Sequence, residues 1–451
     1  MGSFQCVSAF QRLLLNFLPC FTQPSGESFL ALAAAWVLAV GPRTVTNLVR
    51  TLGCNVTKSH DAYQYFFSDA VWIMDEMWKL LFDMILASRL IPRQAVIELA
   101  GDDTLVHHSG RRIFGAGIFR DAVRSTKKRV AYACGHNWVI LCVIVPIPFC
   151  PNVFVSLPVC ARLRPKPPKV KGRRKQKAPA TRTTVELLAD MLVLVASWAP
   201  ERRFRLLGDG AYASLAAHLP ENMILISRLR KDAALYAPPP ARRHKKPGRP
   251  RKKGKRLPTP AKRAKSSRLR FRRTELLLYG ERVVRLLHSY QAYWYEVCPD
   301  APILIVIVRD PSGEHEDEFF FSTDLSLSPR AIIEGYGHRW SQEVVHREAK
   351  QQMGIDDPQA RLQPAVERQA PFCLMLLSLV KLWYLTVGHR GDKLLAWRDA
   401  WYAHKEGVSF TDMLAALRFS SWRLWFSGKL ALEPRHRKIL RPLLRALARG
   451  A

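Results

Sequence analysis

The stretch from Ser328 to Gly354, SPRAIIEGYGHRWSQEVVHREAKQQMG, constrains the fold more than any other part of the chain. Ser328 is a capping residue, Pro329 suits a first helical turn and Gly354 suits an exit, so the spacing predicts one helix across the whole stretch. At about 100° per residue, Tyr336, Arg339, Glu343 and Lys350 fall within an arc of about 60°. The other acids, Glu334 and Glu348, project roughly 160° and 120° away from Tyr336. One carboxylate thus shares a face with a guanidinium, an ammonium and a phenol. An amphipathic surface helix laced with ion pairs would carry the same residues. A carboxylate flanked by phosphate-binding groups is also what metal-dependent phosphodiester chemistry needs. What lies upstream decides between the two.

Two apolar runs upstream each end in aspartate: VIELAGDDT presents Asp102, with Asp103 one register away, and FRLLGDGAYAS presents Asp209. A strand ending at Gly101 aims Asp102 at the carboxyl edge of an open α/β sheet, where such sheets place their sites. Strand-ending aspartates are often turn or helix caps, so neither residue alone means catalysis. The order of all three motifs is more specific. Tyr336-x2-Arg339-x3-Glu343-x6-Lys350 resembles the YREK signature of cut-and-paste DDE transposases from bacterial insertion sequences, a branch of the RNase H-like superfamily. The resemblance covers roughly residues 40 to 390.

That resemblance implies an α/β fold: an RNase H-like mixed-sheet catalytic core with a β-rich insertion and flanking helical regions. It implies a helical DNA-binding domain over 1–94, the first part of the core over 95–225, and a basic linker with the insertion over 226–318. The second part of the core then spans 319–393 and a helical C-terminal region 394–451. Asp102, Asp209 and Glu343 become the catalytic and metal-binding residues. They would hold two Mg²⁺ ions, with Mn²⁺ able to substitute, since hard oxygen ligands suit both. Arg339 and Lys350 would clamp phosphates and Tyr336 would bond the cleaved strand's end, so losing either cation should leave ion binding to the free protein near normal. Glu348, off that face, should be dispensable. The implied partner is double-stranded DNA, as transposon ends and as target, bound by a homodimer in a synaptic complex. A nuclease without transfer activity, or an inactive DNA-binding derivative, are the rival readings.

The charge agrees. The chain carries 70 Lys and Arg against 37 Asp and Glu, a net +33 over 451 residues, which calls for a polyanionic partner. An anionic membrane competes, but no uninterrupted apolar run reaches the ~18 residues of a spanning helix. No basic n-region leads into an apolar stretch and cleavage site, so no signal peptide is expected. The location that follows is cytoplasmic and nucleoid-associated. Nine cysteines occur without a C-x-x-C pair or a spaced Cys/His set, which favours reduced thiols over disulfides or zinc.

In chain order, apolar runs from Phe4 to Phe21, Phe29 to Val40 and Ala70 to Leu90 read as helices, with Pro24-Ser25-Gly26 as a turn. RTVTNLVRTLGC, from Arg43 to Cys54, reads as compact helical packing or as a helix-turn-helix-like unit gripping DNA backbone, and the resemblance implies the second. YAC and WVILCVIVPI read as two strands. Arg162 to Arg182, rich in Pro and Lys, reads as a phosphate-gripping loop. Thr183 to Glu186 reads as a capping box opening a helix to Trp198, and Phe204 to Gly208 as a buried strand. The Asp209–Glu343 gap holds 17 Lys and Arg between Arg242 and Arg273, and no acid from Ala233 to Thr274. Gly254-Lys255 lacks the glycine spacing and Ser/Thr of a P-loop, which argues against nucleotide binding. Beyond it, ELLLYG, RVVRLLHSY, AYWYEV and ILIVIVRD read as strands. Trp294 lies in an aromatic-rich one and is a candidate for stacking on an unpaired base.

Pro247-Gly248-Arg249-Pro250-Arg251-Lys252-Lys253 resembles an AT-hook, in which two arginines lie along a narrow minor groove. Exchanging Arg249 and Arg251 for alanine should therefore weaken binding to A·T-rich duplexes more than to G·C-rich ones in an anisotropy titration. Equal losses on both would reduce the segment to a non-specific cationic arm.

Overall fold

A computed structural model describes residues 7–110, 112–126, 128–166, 182–240, 253–390, 407–429 and 434–449. Arg249 and Arg251, and most of the Arg162–Arg182 loop, lie outside these residues. The chain opens with α1 (Ser8–Leu15), α2 (Gln23–Leu38), α3 (Val45–Leu52), α4 (His60–Ser68) and α5 (Met74–Ala87). Pro24 to Gly26 do not make a turn; they form the first turn of α2, where a missing proline N–H costs nothing. Thr44 caps α3, and Val45, Leu48 and Leu52 bury its inner face. Of the arginines read as gripping DNA, Arg43 is committed inward. Its N–H donates to Asp357 Oδ2 (2.7 Å) and its guanidinium to the Gln352 carbonyl (2.9 Å). Arg50 is exposed.

The sheet follows: β1 (Ile97–His107), β2 (Gly117–Asp121), β3 (Ala131–Pro146) and β4 (Phe154–Arg164), then α6 (Thr184–Trp198), β5 (Phe204–Gly208) and β6 (Met223–Arg228). YAC and WVILCVIVPI are one continuous strand, β3, since Gly135-His136-Asn137 between them keep the ladder with β1. Thr183 caps α6 in a reciprocal box with Glu186, as the sequence indicates. β1–β3 and β3–β4 are antiparallel, while β1–β5 and β5–β6 are parallel. The order β4-β3-β1-β5-β6 is a mixed sheet of RNase H-like type.

After the short α7 (Pro260–Ala264), β7 (Arg272–Leu278), β8 (Glu281–Trp294), β9 (Cys298–Arg309) and β10 (Glu318–Ser322) do not leave that sheet. β10 pairs with β6 and continues through β9 and β8 to β7, giving ten strands in one sheet. RVVRLLHSY and the start of AYWYEV are a single strand, β8. Tyr279-Gly280, with φ of 56° and 88°, form the two-residue turn before it.

The predicted single helix is two: α8 (Pro329–His338) and α9 (Trp340–Gln351), meeting at Arg339. Their burial explains the joint. Ile332, Ile333 and Tyr336 pack into a cluster with Leu207, Ile226, Leu276 and Phe320. Val345 and Ala349 instead join the large core shared by the N-terminal helices and the other sheet face. The two halves thus bury against different clusters on either side of Arg339, whose own angles stay helical. Ser328 does cap the start and Gly354 ends the segment at φ 64°.

α10 (Gln363–Thr386) packs under β4; α11 (Phe410–Lys429) and α12 (Pro434–Arg449) complete the chain. By length and composition α10 could cross a membrane, which the search for uninterrupted apolar runs misses. Yet 94% of its apolar window is buried inside the protein. It also carries Lys381, 1% exposed, whose ammonium donates to the Ser156 carbonyl (3.0 Å) and pairs with Glu348 at 2.6 Å. Glu348 is therefore not a spare surface acid: it ties α9 to α10 and β4.

Removing one partner of a buried pair leaves an uncompensated charge, typically costing about 3–5 kcal/mol, whereas apolar replacement of both is often neutral. Lys381→Met should destabilise the fold by that order, and adding Glu348→Leu should restore most of it, as read by denaturant unfolding. A double variant no better than Lys381→Met would mean that the Ser156 contact, not the pair, holds α10.

Candidate active site

The β1–β5 parallel ladder ends at Gly101 opposite Gly208. Asp102 and Asp209 come next on their strands, so the topology brings both to the carboxyl edge of the pair. β1 itself does not stop at Gly101; it runs on to His107, paired there to β3 alone. What ends at Gly101 is its pairing with β5. Gly101 also lets α6 approach, since a Cβ there would lie 2.6 Å from Leu188.

Strand alternation sends Asp102 and Asp103 to opposite sides. Asp103 accepts a hydrogen bond from Tyr212 Oη at 2.8 Å. Asp102 faces α9, where Arg339 Nη1 lies 3.3 Å from its Oδ2 and Arg339 Nη2 lies 2.6 Å from Glu343 Oε1. One guanidinium therefore joins two of the three predicted acids, and the charge of Asp209 acts on both Asp102 and Arg339. Burial pushes the Asp102 carboxyl up to about 7. Arg339 and the Asp103 N–H oppose the shift, and the charges of Asp103 and Asp209 add to it. Burial also works against the Arg339 charge, but Tyr336, Asp102, Glu343 and Asp209 hold it above its ordinary value.

Anchors hold α9 over this edge. His338 Nδ1 meets Glu98 Oε2 at 2.7 Å, and Arg205 donates to Glu98 Oε1 at 2.8 Å. Burial alone would raise Glu98, yet His338 and Arg205 together bring its carboxyl below the usual range. Ser341 Oγ meets Ser156 Oγ at 2.6 Å and Gln342 donates to the Ile140 carbonyl at 2.8 Å.

The other predicted residues are less uniformly placed. Tyr336 is buried against Phe320, with the Arg339 and Arg228 guanidinium carbons 5.6 Å and 5.9 Å from its ring centre. Lys350 is half-buried two turns beyond Glu343. Burial lowers its pKa, against the opposing charges of Asp356 and Asp121. Trp294 is 3% exposed and packs edge-on against Phe321. Its ring is part of the core, as strand alternation on β8 dictates, and is not offered to a base.

Sequence reasoning missed four contributors. Arg228 ends β6 beside Tyr336; a basic residue closing the strand next to the Asp209 strand was its only signal. Glu98 and His338 were passed over because their partnership spans residues far apart in the chain. His346, three residues after Glu343, has a buried Nε2 without a hydrogen-bond partner among the described residues. Burial, with Lys350 and Arg339, holds its imidazole down at about 3, so it stays neutral.

A family model described as "DDE superfamily endonuclease" matches residues 16–277, more than half of the chain. The chain belongs to that superfamily. A second model, described as "Archaeal putative transposase ISC1217", matches residues 271–386, so the two together run through both strands and the α8–α9 segment. The protein is a DDE transposase of the insertion-sequence type. Comparison with curated proteins found no match. The DDE family implies divalent-metal use, and the donor set fits: three carboxylates, one of them raised by burial beside a second, want positive charge. Among the described residues, the acid and histidine atoms that lie within 4.8 Å of one another belong to Asp310, Glu314 and His315, between β9 and β10. Asp102, Asp209 and Glu343 are not so tightly gathered.

With the Asp102 pKa raised, the folded state holds this proton more tightly than the unfolded chain does. Its contribution to stability is then lost as pH climbs from about 4, the unfolded value, to about 7. Asp102→Asn mimics the neutral acid. It should match the wild type near pH 4 and exceed it above about pH 7 by on the order of a few kcal/mol in EDTA-containing buffer. A variant less stable than the wild type at pH 8 would show that the Arg339 ion pair outweighs the burial.

Proposed function

We propose that this DDE endonuclease cleaves DNA at the ends of its insertion sequence and transfers the freed strand into a target duplex. The observation that carries the reading is the meeting of Asp102 and Asp209 at the ladder's end with Glu343, linked to Asp102 through one guanidinium. In this reading the three carboxylates hold two Mg²⁺ ions, or Mn²⁺. Bound there, the ions would activate water or a 3′-hydroxyl and stabilise the leaving oxygen. The remaining residues bind and orient. Arg339, with Arg228 beside it, offers forked donors to phosphate, and Tyr336 sets the position of the strand end between them. Lys350, within the influence of Asp356 and Asp121, contributes a weaker phosphate contact than its place on the helix suggests. Glu98, His338, Gln342 and Lys381 keep Glu343 aligned with the strand-end acids. Residues 1–94 and the basic 226–318 segment would supply DNA affinity, in a synaptic homodimer.

Asp102→Asn, Asp209→Asn and Glu343→Gln should each abolish cleavage of an end-containing duplex while leaving duplex binding largely intact. Asp103→Asn should remain active, because its partner is Tyr212. Loss of cleavage in Asp103→Asn but not in Asp102→Asn would place the chemistry on the other side of β1. Cleavage without joined products would make the protein a nuclease only.

A further inference from the structure

In the free protein the would-be metal ligands already hold a cation. The Arg339 fork reaches Asp102 Oδ2 with one nitrogen and Glu343 Oε1 with the other, at 3.3 Å and 2.6 Å. Its side chain is 13% exposed, so this is a seated group and not a surface arginine brushing an acid. Its seat is the joint between α8 and α9, fastened on one side by His338 to Glu98. With the guanidinium in place, the ligand atoms of Asp102, Asp209 and Glu343 are not all within 4.8 Å of one another, although those of Asp310, Glu314 and His315 are. A divalent ion needs the same oxygens that the fork occupies.

We propose that Arg339 is an internal competitor of the metal: an ion enters the acids only as Arg339 leaves them, and a DNA phosphodiester draws it away. This rests on the reading of Asp102, Asp209 and Glu343 as the metal site. A guanidinium binds phosphate oxygens through the same planar fork that it uses on carboxylates, so the exchange trades single contacts to two carboxylates for a forked pair on one phosphate. Arg339 would then pass from the acids to the DNA backbone, and the acids, relieved of their counter-charge, would take up the ions. Metal and DNA affinity become linked, each raising the other by the same factor. Loading of the metal ahead of the substrate is suppressed. The opposite expectation, that ion binding is indifferent to Arg339, is the alternative the measurement below decides.

The test is Mn²⁺ binding to the full chain, read from the loss of the free-ion electron paramagnetic resonance signal. Only the binding abolished by Asp102→Asn is counted, which sets aside ions held by Asp310, Glu314 and His315. Arg339→Gln should bind this Mn²⁺ at least about tenfold more tightly than the wild type, within the usual range of coupling between sites. A 20-base-pair duplex, with its own Mn²⁺ uptake subtracted, should tighten binding to the wild type and leave Arg339→Gln unchanged. Arg339→Lys keeps the charge without the fork and should fall between the two; it carries the comparison if thermal melting shows Arg339→Gln unfolded. Equal or weaker Mn²⁺ binding in the variants, with the Asp102-dependent signal intact, overturns the competition and leaves the metal site standing. A signal that Asp102→Asn does not touch in any background overturns the metal site itself.

Discussion

Carboxylates gathered at the end of a parallel strand pair repel one another, and their burial is costly unless positive charge stands beside them. Asp102 and Asp209 are brought to that position by nothing more than the register of β1 against β5. The counter-charge comes from Arg339, on the far side of the chain in sequence. Much of the architecture beyond the sheet can be read as the means of delivering that one side chain. α8 buries on one core, α9 on another, and the chain turns between them at the residue that must face the acids.

Delivery alone is not enough, because α9 must keep its rotation and height. Its N-terminal end is set by the His338–Glu98–Arg205 chain of contacts, in which Glu98 lies four residues before Asp102 on the same strand. Its middle is set by Gln342 on the Ile140 carbonyl and Ser341 on Ser156. Its C-terminal half is set by Glu348 on Lys381. The buried Lys381 belongs to an α10 so apolar that its composition alone would suit a membrane. A buried pair of this kind fixes α9 against α10 at Glu348 and Lys381.

Local signals were legible where local physics decides. The Thr183–Glu186 box, the Ser328 cap, the buried run of β5 and the aspartate that follows it are set by residues within a few positions of one another, and the sequence displays them. Helical projection from Tyr336 to Glu343 also held, since Arg339 keeps αR angles through the joint. What failed needed long-range packing. The break at Arg339 arises because its two sides face different cores. Trp294 reads as a stacking ring until its strand is placed, when alternation turns it inward beside Phe321. Lys350 lies on the predicted face, but the loop after α9 brings Asp356 to it, and helix geometry cannot show that. The continuity of β7 to β10 with the core sheet was hidden too, because strand identity does not reveal strand neighbours.

The chain's basic excess and its acidic edge pull a polyanion in opposite directions. A net +33 attracts DNA from a distance, with 17 of the cations in the Arg242–Arg273 stretch. The strand-end site presents Asp102, Asp209 and Glu343, which repel a phosphate at contact range. Long-range attraction therefore brings the duplex to the protein without bringing a scissile phosphate to the acids, because screening leaves contact-range repulsion between half-buried charges almost untouched. Something positive must stand between phosphate and carboxylate at the last few ångströms. Metal ions do that once bound. Before then, among the described residues, the cation seated between Asp102 and Glu343 is the Arg339 guanidinium, whose in-plane donors suit phosphate as well as carboxylate.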